Sequence, residues 1–409
     1  MLMVSDMLEI ARGSVREERI RAKSPDRFAP SLAAPSIVVW NVCQHCDLRC
    51  PHCYVSAGTR PSSSDLDTAD AHRVIDDLAD HGVKVIIFSG GEPLLRPDLF
   101  ELLAHARSRG VAAQLSTSGI HVDAAIARKL AEHGIGYVGI SIDGTREFND
   151  EYRGLPGAFD RALAGVHHAH QAGLKTGVRM TLTRRNAPLL EGVLAAAEGA
   201  GADRFYVSHL VYAGRGLRLM GDDLRPTESR ALLLRLFALA EARLDEGAAV
   251  RFVTGSNDSD GPLLLRWIEG RHGAEAHARV ESLLRARGGN SAGEKLLAID
   301  PRGRVHPDQF WQGMTLGQVP AQSIAEILAH PMRDELRTRE SRLVGRCGGC
   351  RFKGMCRGSH RERALAASGQ LWAEDPACVM TDDEVTYPGP ASGGSREIRT
   401  EGGPSWSAA

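Results

Sequence analysis

Four cysteines fall within eleven residues of the stretch VCQHCDLRCPHCY, Val42–Tyr54: Cys43, Cys46, Cys50 and Cys53. Thiolates serve as nucleophiles, redox partners and soft metal ligands. A zinc ribbon needs two Cys-x2-Cys knuckles, usually separated by roughly 12 residues or more. Here three residues separate Cys46 from Cys50, which crowds four thiolates around one tetrahedral ion. A redox pair needs only two. An iron–sulfur cluster is larger than a single ion, and its irons are ligated separately, so its ligands can sit close together. The subset Cys46-x3-Cys50-x2-Cys53 supplies three thiolates and leaves one iron without a protein ligand. An open position is what a metal site needs to bind and activate a small molecule.

A second group is spaced Cys347-x2-Cys350-x5-Cys356-x21-Cys378. Four soft ligands suit either zinc or an iron–sulfur cluster, and the spacing does not decide between them. The surrounding chain is basic. Arg346, Arg351, Lys353, Arg357, Arg361 and Arg363 face only Glu362 between residues 346 and 363. Such charge attracts an anionic substrate and favours a reduced cluster nearby; a solvated surface is the plainer alternative. The segment SGGEPLLRPD, Ser89–Asp98, sets two glycines where a backbone can approach a ligand closely. By itself it reads rather as a strand-to-helix turn with a helix start at Pro97.

These groups need a scaffold. SIVVWNV (Ser36–Val42) is short, apolar and β-branched, as a buried strand is. VIIFSG (85–90), AAQLSTS (112–118), YVGISID (137–143), KTGVRMTLT (175–183) and DRFYVSHL (203–210) repeat the pattern. Helical periodicity separates them, near 65–81, 99–109, 122–133, 158–172 and 187–200. Six strands alternating with helices predict parallel strands joined by crossover helices, either doubly wound or barrel-like. Residues 220–290 read as mainly helical, with TGSNDSDGP (254–262) as a polar loop, and a hairpin follows at LLAIDPRGRVHPD (296–308). Polar residues end several strands: Ser116–Ser118, Ser141, Asp143, Arg179 and His209. Each of these alone is a common turn or cap.

The bulk composition narrows the class. The 409 residues are 43% hydrophobic and 25% charged, with net charge -1. That predicts two to three soluble domains and no nucleic-acid partner. The first thirty-four residues lack the apolar core of a secretory signal, and no run of 18 apolar residues predicts a membrane span. The expected compartment is the cytoplasm, where thiols stay reduced and eight cysteines suggest metal ligation.

CDLRCPHC, Cys46–Cys53, resembles the Cys-x3-Cys-x2-Cys signature of the radical SAM (S-adenosylmethionine) superfamily. The resemblance implies an α/β fold, a partial (β/α)6 TIM-type barrel with the cluster loop after the first strand. It implies a [4Fe–4S] cluster on Cys46, Cys50 and Cys53, with Cys43 an additional buried residue. It sets His52 against the adenine of S-adenosylmethionine, the turn of Gly90, Gly91 and Glu92 at the amino group, Ser141 near the ribose and Arg179 near the carboxylate. The second group resembles the small C-terminal auxiliary-cluster domain called SPASM or twitch. That implies one auxiliary [4Fe–4S] cluster on Cys347, Cys350, Cys356 and Cys378. Asp308 stands where many members have a cysteine.

The expected organisation is an N-terminal tail (1–34), the barrel (35–220), a helical connection (221–292), the auxiliary domain (293–386) and a disordered tail (387–409). Across roughly residues 35–385, motifs such as YRGLPGAFDRALAG, FYVSHLVYAGRG and LWAEDPAC resemble the radical SAM proteins of heme d1 biosynthesis, the NirJ family, and their sisters in alternative heme synthesis. This implies a modified siroheme substrate, 12,18-didecarboxysiroheme, and radical removal of its propionates. The sisters remove acetates or decarboxylate coproheme. The rim carboxylates would meet Arg215, Arg218 and the basic run around the second cysteine group. An electron donor such as flavodoxin or ferredoxin is implied. A peptide-modifying enzyme with the same auxiliary domain is the rival reading, although the ~35 residues before the first strand are few for a peptide-recognition domain. A non-catalytic metal-binding protein is another. The oligomeric state is not legible.

Overall fold

Strand alternation decides what this sheet encloses. The computed structural model describes residues 1–23, 25–29 and 34–386. Its strands are β1 (Leu2–Met3), β2 (Ile37–Asn41), β3 (Val85–Ser89), β4 (Ala112–Thr117), β5 (Val138–Ser141), β6 (Thr176–Thr181), β7 (Arg204–Ser208), β8 (Arg251–Gly255), β9 (Leu296–Ile299), β10 (Arg304–His306) and β11 (Gly317–Gln318). They form one sheet in the order β1-β8-β7-β6-β5-β4-β3-β2-β9-β10-β11. From β9 through β2 and round to β8 every neighbouring pair is parallel. β1, β10 and β11 join antiparallel. β1 and β11 are edges, so the sheet curves into a partial barrel that stays unclosed.

One face of each strand is apolar and packs under helices; the other lines a central cavity. On β3, Ile86 and Phe88 are fully buried while Val85, Ile87 and Ser89 face the cavity. On β7, Phe205 and Val207 are buried while Arg204, Tyr206 and Ser208 face it. This is the two-residue period of a strand. The outer layer follows from helix periodicity. Ala71, Val74, Ile75 and Leu78 form the i, i+3, i+4, i+7 stripe of the helix Thr68–Asp80. Asp67 caps that helix, accepting from Asp70 N at 2.8 Å.

Three features differ from the sequence reading. The segment expected to be mainly helical holds β8, parallel to β7. Only Phe252 and Val253 give RFVTG an apolar signal, too little to stand out. The polar loop read at 254–262 is shorter, because β8 runs to Gly255 and a helix begins at Asp260. The hairpin at 296–308 is continuous with the barrel, because β9 pairs with β2.

The segment read as a tail also carries structure. β1 pairs with β8, and the following helix, Val4–Ala11, is almost wholly buried. Its acids misled the reading: Asp6 and Glu9 meet Arg251 at 2.9 and 2.6 Å. Residues 387–409, read as a disordered tail, lie outside the described residues. Among the described residues no helix is long and apolar enough to cross a membrane.

Candidate active site

The cysteine loop leaves β2 and is stitched at once to the turn after β3. Gly91 N donates to Cys43 O, and Glu92 N to His45 O, each at 2.7 Å. A Cβ on Gly91 would lie 2.1 Å from His45 O, and one on Gly90 2.8 Å from Cys43 O. Gly90 also has φ +148°. The two glycines therefore allow the close approach of one backbone to another, and both also line the cavity. The fourth cysteine belongs to this seam. Cys43 Sγ donates to Glu92 O at 3.3 Å. Burial, with Glu92 and Asp65 nearby, pushes its thiol up to about 12.

Cys46, Cys50 and Cys53 line the central cavity together, and Cys43 does not. Cys46 Sγ accepts from Leu48 N at 3.4 Å and Cys53 Sγ from Ala57 N at 3.5 Å. The guanidinium of Arg153 reaches Cys50 Sγ at 3.9 Å. Burial pushes the Cys46 thiol well up, and that of Cys50 up to about 11. Buried thiols become ligands only when a metal displaces their protons. The N–H donors and the guanidinium aimed at sulfur suit thiolates bound to iron, so this loop fits a cluster.

The YAGRG segment closes over the loop. A Cβ on Gly214 would lie 2.2 Å from Tyr54 O. Arg215 donates to Cys50 O at 2.9 Å and Ala57 O at 2.8 Å. It braces the cysteine loop and also lines the cavity, where the sequence reading has it meet substrate carboxylates. Arg218 is exposed.

Around the thiols the strand ends form a network. Glu92 is fully buried. Its carboxylate accepts from Thr117 Oγ1 at 2.7 Å, from Ser118 Oγ at 2.6 Å and from Ser118 N at 2.8 Å. It is thus a strut between the glycine turn and the end of β4. Asp143 pairs with Arg153 and accepts from Thr181 N at 2.9 Å. Burial would raise its carboxyl, but Arg153, with the bond from Thr181 N, holds it below the usual range. His52 Nε2 lies 3.4 Å from Asp143, and the ring stacks on Tyr152 at 5.2 Å. Burial lowers its pKa, so it is neutral at pH 7.

Arg179 donates to Ser116 Oγ at 2.7 Å and crosses β5 at Gly139, where a Cβ would meet its Cζ at 2.3 Å. Ser141 and Arg179 both line the cavity. Arg153, Tyr152 and Gly139 were not singled out from the sequence. Tyr152 and Arg153 open the quoted motif YRGLPGAFDRALAG without having been given a role, and Gly139 was visible as a small residue in an otherwise β-branched strand. The cavity measures about 1360 Å³. Pockets for one drug-sized ligand run to ~300–1000 Å³, so it has room for two ligands side by side.

The second cysteine group gathers between β11 and the C-terminal helix Asp382–Thr386. Cys347 lies within electrostatic reach of Cys350 and Cys378, and Cys356 of both Cys347 and Cys378. Burial raises all four thiols. Among the described residues no three His, Cys, Asp or Glu side chains converge on a single ion. A cluster spreads its ligands over separate irons, so thiols gathered for one need not point at one centre.

The basic run around this group is mostly scaffold, which corrects its reading as a surface for an anionic substrate. Arg361 is buried and donates to Leu371 O at 2.9 Å and Ala373 O at 2.6 Å. Arg357 pairs with Glu294 at 2.6 Å. Arg363 is fully buried and pairs with Asp375 at 2.6 and 2.7 Å. Asp308 is buried, and its carboxylate accepts from Phe310 N and Trp311 N at 2.9 and 3.0 Å, shaping the turn.

An unclosed parallel barrel, with three thiols beyond its first cavity-facing strand and a glycine turn sewn beneath them, defines a class of enzyme built to present an iron–sulfur cluster to a bound cofactor. The Radical SAM superfamily model matches residues 40–208. The chain is 40% identical to the pre-heme d1 synthase of Dinoroseobacter shibae, over 88% of this chain and 90% of that protein. It is 38% identical to the Fe-coproporphyrin III synthase of Methanosarcina barkeri, over 86% and 89%. The crystal structure of Streptococcus suis SuiB bound to precursor peptide SuiA shares the fold, with TM-score 0.66 at 16% identity, over 89% of this chain and 80% of that one. The chain belongs to the radical SAM superfamily and is an enzyme.

Proposed function

We propose that the protein is a radical SAM enzyme of heme synthesis, of the NirJ type, which removes propionate side chains from 12,18-didecarboxysiroheme. The observation that carries this is 40% identity, over nearly the whole of both chains, to a pre-heme d1 synthase. The cavity agrees with it, being large enough for S-adenosylmethionine beside a macrocycle.

In this reading Cys46, Cys50 and Cys53 hold the [4Fe–4S] cluster, and Cys347, Cys350, Cys356 and Cys378 hold an auxiliary one. Held by its three cysteines, the barrel cluster would supply the one-electron reduction that cleaves bound S-adenosylmethionine to a 5′-deoxyadenosyl radical. The chain's own residues orient and shield. The turn of Gly90 and Gly91, which lines the cavity, meets the methionine end, and Glu92 braces that turn from behind. Ser141 and Arg179 reach the ribose and the carboxylate. His52, kept neutral and stacked on Tyr152, offers its free face to the adenine. Tyr54 against Phe310, at 5.1 Å, narrows the cavity between barrel and C-terminal segment, which limits water around a radical. A soluble reductant such as flavodoxin or ferredoxin, in the cytoplasm, supplies electrons.

The test is anaerobic turnover with S-adenosylmethionine, dithionite and a panel of modified hemes, read by mass spectrometry. The expected product of 12,18-didecarboxysiroheme lacks one or two propionates. Turnover of coproheme alone would move the chain to a sister activity. Hydrogen abstraction from a peptide alone would end the heme reading.

A further inference from the structure

One buried pair at the edge of the cavity has no part in the roles above. His209 follows β7 and lines the cavity that holds Cys46, Cys50 and Cys53. Its Nε2 lies 3.1 Å from Asp260 Oδ1, with side-chain exposures of 4% and 0%. Both Asp260 oxygens and His209 Nε2 are buried without an aligned hydrogen-bond partner among the described residues, so the two groups meet at ion-pair distance. A carboxylate in that position is costly unless a neighbour compensates it. The imidazole Nε2 is the neighbour within reach.

The pair is held from two sides. His209 N donates to Gly255 O at 3.1 Å. The next carbonyl, Leu210 O, accepts from the buried Arg363 at 2.8 Å. Asp260 opens the long helix Asp260–Arg287, whose N-terminus favours a negative charge. A proton on Nε2 beside Asp260 leaves the lone pair on Nδ1, the second nitrogen of a residue that lines the cavity. An imidazole with one nitrogen bonded to a carboxylate is how proteins orient and strengthen a histidine that ligates a metal.

We propose that His209 Nδ1 ligates the central iron of the tetrapyrrole substrate, with Asp260 as its positioning residue. The proposal rests on the heme reading above and deepens it. Nδ1 donates its lone pair to iron, Nε2 keeps its proton, and nothing is oxidised or reduced. Such a bond pins the centre of a flat ring whose edge must be presented to the radical in one register.

The test uses the anaerobically reconstituted enzyme with ferrous 12,18-didecarboxysiroheme and with its iron-free macrocycle as probes. Resonance Raman of the wild-type ferrous complex should show an iron–imidazole stretching band. His209→Ala should lose the band and bind the iron form at least about tenfold more weakly, with added imidazole restoring both. Asp260→Asn should keep the band at lower frequency, with affinity about ten- to a hundredfold lower. The iron-free macrocycle should bind wild type and His209→Ala alike.

An unchanged band in His209→Ala would overturn the ligand assignment and leave the heme reading standing. So would failure of imidazole to restore the band while the variant keeps its cluster iron. Failure of the wild type to bind either macrocycle would sink the heme reading and the ligand with it.

Discussion

A single thiol hydrogen separates Cys43 from its three neighbours. It points at Glu92 O, whereas the sulfurs of Cys46, Cys50 and Cys53 receive donors. Cys46→Ala, Cys50→Ala or Cys53→Ala should abolish 5′-deoxyadenosine formation under dithionite. Cys43→Ala should keep most of it and lose about 1 kcal/mol of stability, the worth of one hydrogen bond. Chromatography of the nucleoside and thermal melts check both, and normal cleavage by Cys50→Ala would end the cluster assignment. Gly91 is a sharper case. A methyl there meets backbone, which cannot swing aside. Gly91→Ala should cost about 1–3 kcal/mol and lower barrel-cluster iron. Gly199→Ala, with nothing within 4 Å, should leave iron content unchanged.

At the scale of elements, the loop between β8 and the helix Asp260–Arg287 joins the barrel to the second cysteine group. Asn257 Nδ2 donates to Ala377 O at 2.7 Å, and Val379 N to Ser259 Oγ at 3.1 Å. Asp375 completes the clamp. It accepts from Arg363, from His360 N at 3.1 Å and from Ala377 N at 3.0 Å, one residue before Cys378. Burial alone would raise the Asp375 carboxyl, but Arg363 and these donors hold it well below the carboxylate range.

The pH dependence follows from that direction. The folded pKa lies below the unfolded value of about 3.9, so the stabilisation is complete above pH ~4 and disappears as pH falls through the folded value. Asp375→Asn should therefore destabilise at pH 7 by about 3–5 kcal/mol, since it strands a buried guanidinium. The deficit against wild type should shrink only in acid. Denaturant unfolding at pH 7 and pH 3 measures it, and equal deficits at both would contradict the ion-pair account.

For the whole molecule, two separate thiol groups predict two separate iron loads. The reconstituted protein should hold about eight irons, four for each cluster of this type. The Cys46/Cys50/Cys53 triple alanine variant should keep half, with matching acid-labile sulfide. Stoichiometric zinc without sulfide in that variant would refute an auxiliary cluster. The N-terminal helix closes one edge of the barrel through Arg251, Asp6 and Glu9. Arg251→Met should lower stability by about 1.5–3 kcal/mol, the value of charged hydrogen bonds, without changing the iron count.

The sequence by itself determined the local features. Cysteine spacing marked the two thiol groups, and apolar runs of strand length between helical periods marked six parallel strands, because both signals are complete within a few residues. Tertiary structure decided what those signals could not carry. Gly91 needed the cysteine loop beside it before its missing Cβ had a meaning. Arg215, Arg361 and Arg363 look like solvent cations in the chain and become braces once carbonyls and Asp375 fold against them. Arg153 and Asp143, and likewise His209 and Asp260, lie on different elements, and only the fold brings each pair together. A charge is read from its neighbours, and most of these neighbours come from elsewhere in the chain.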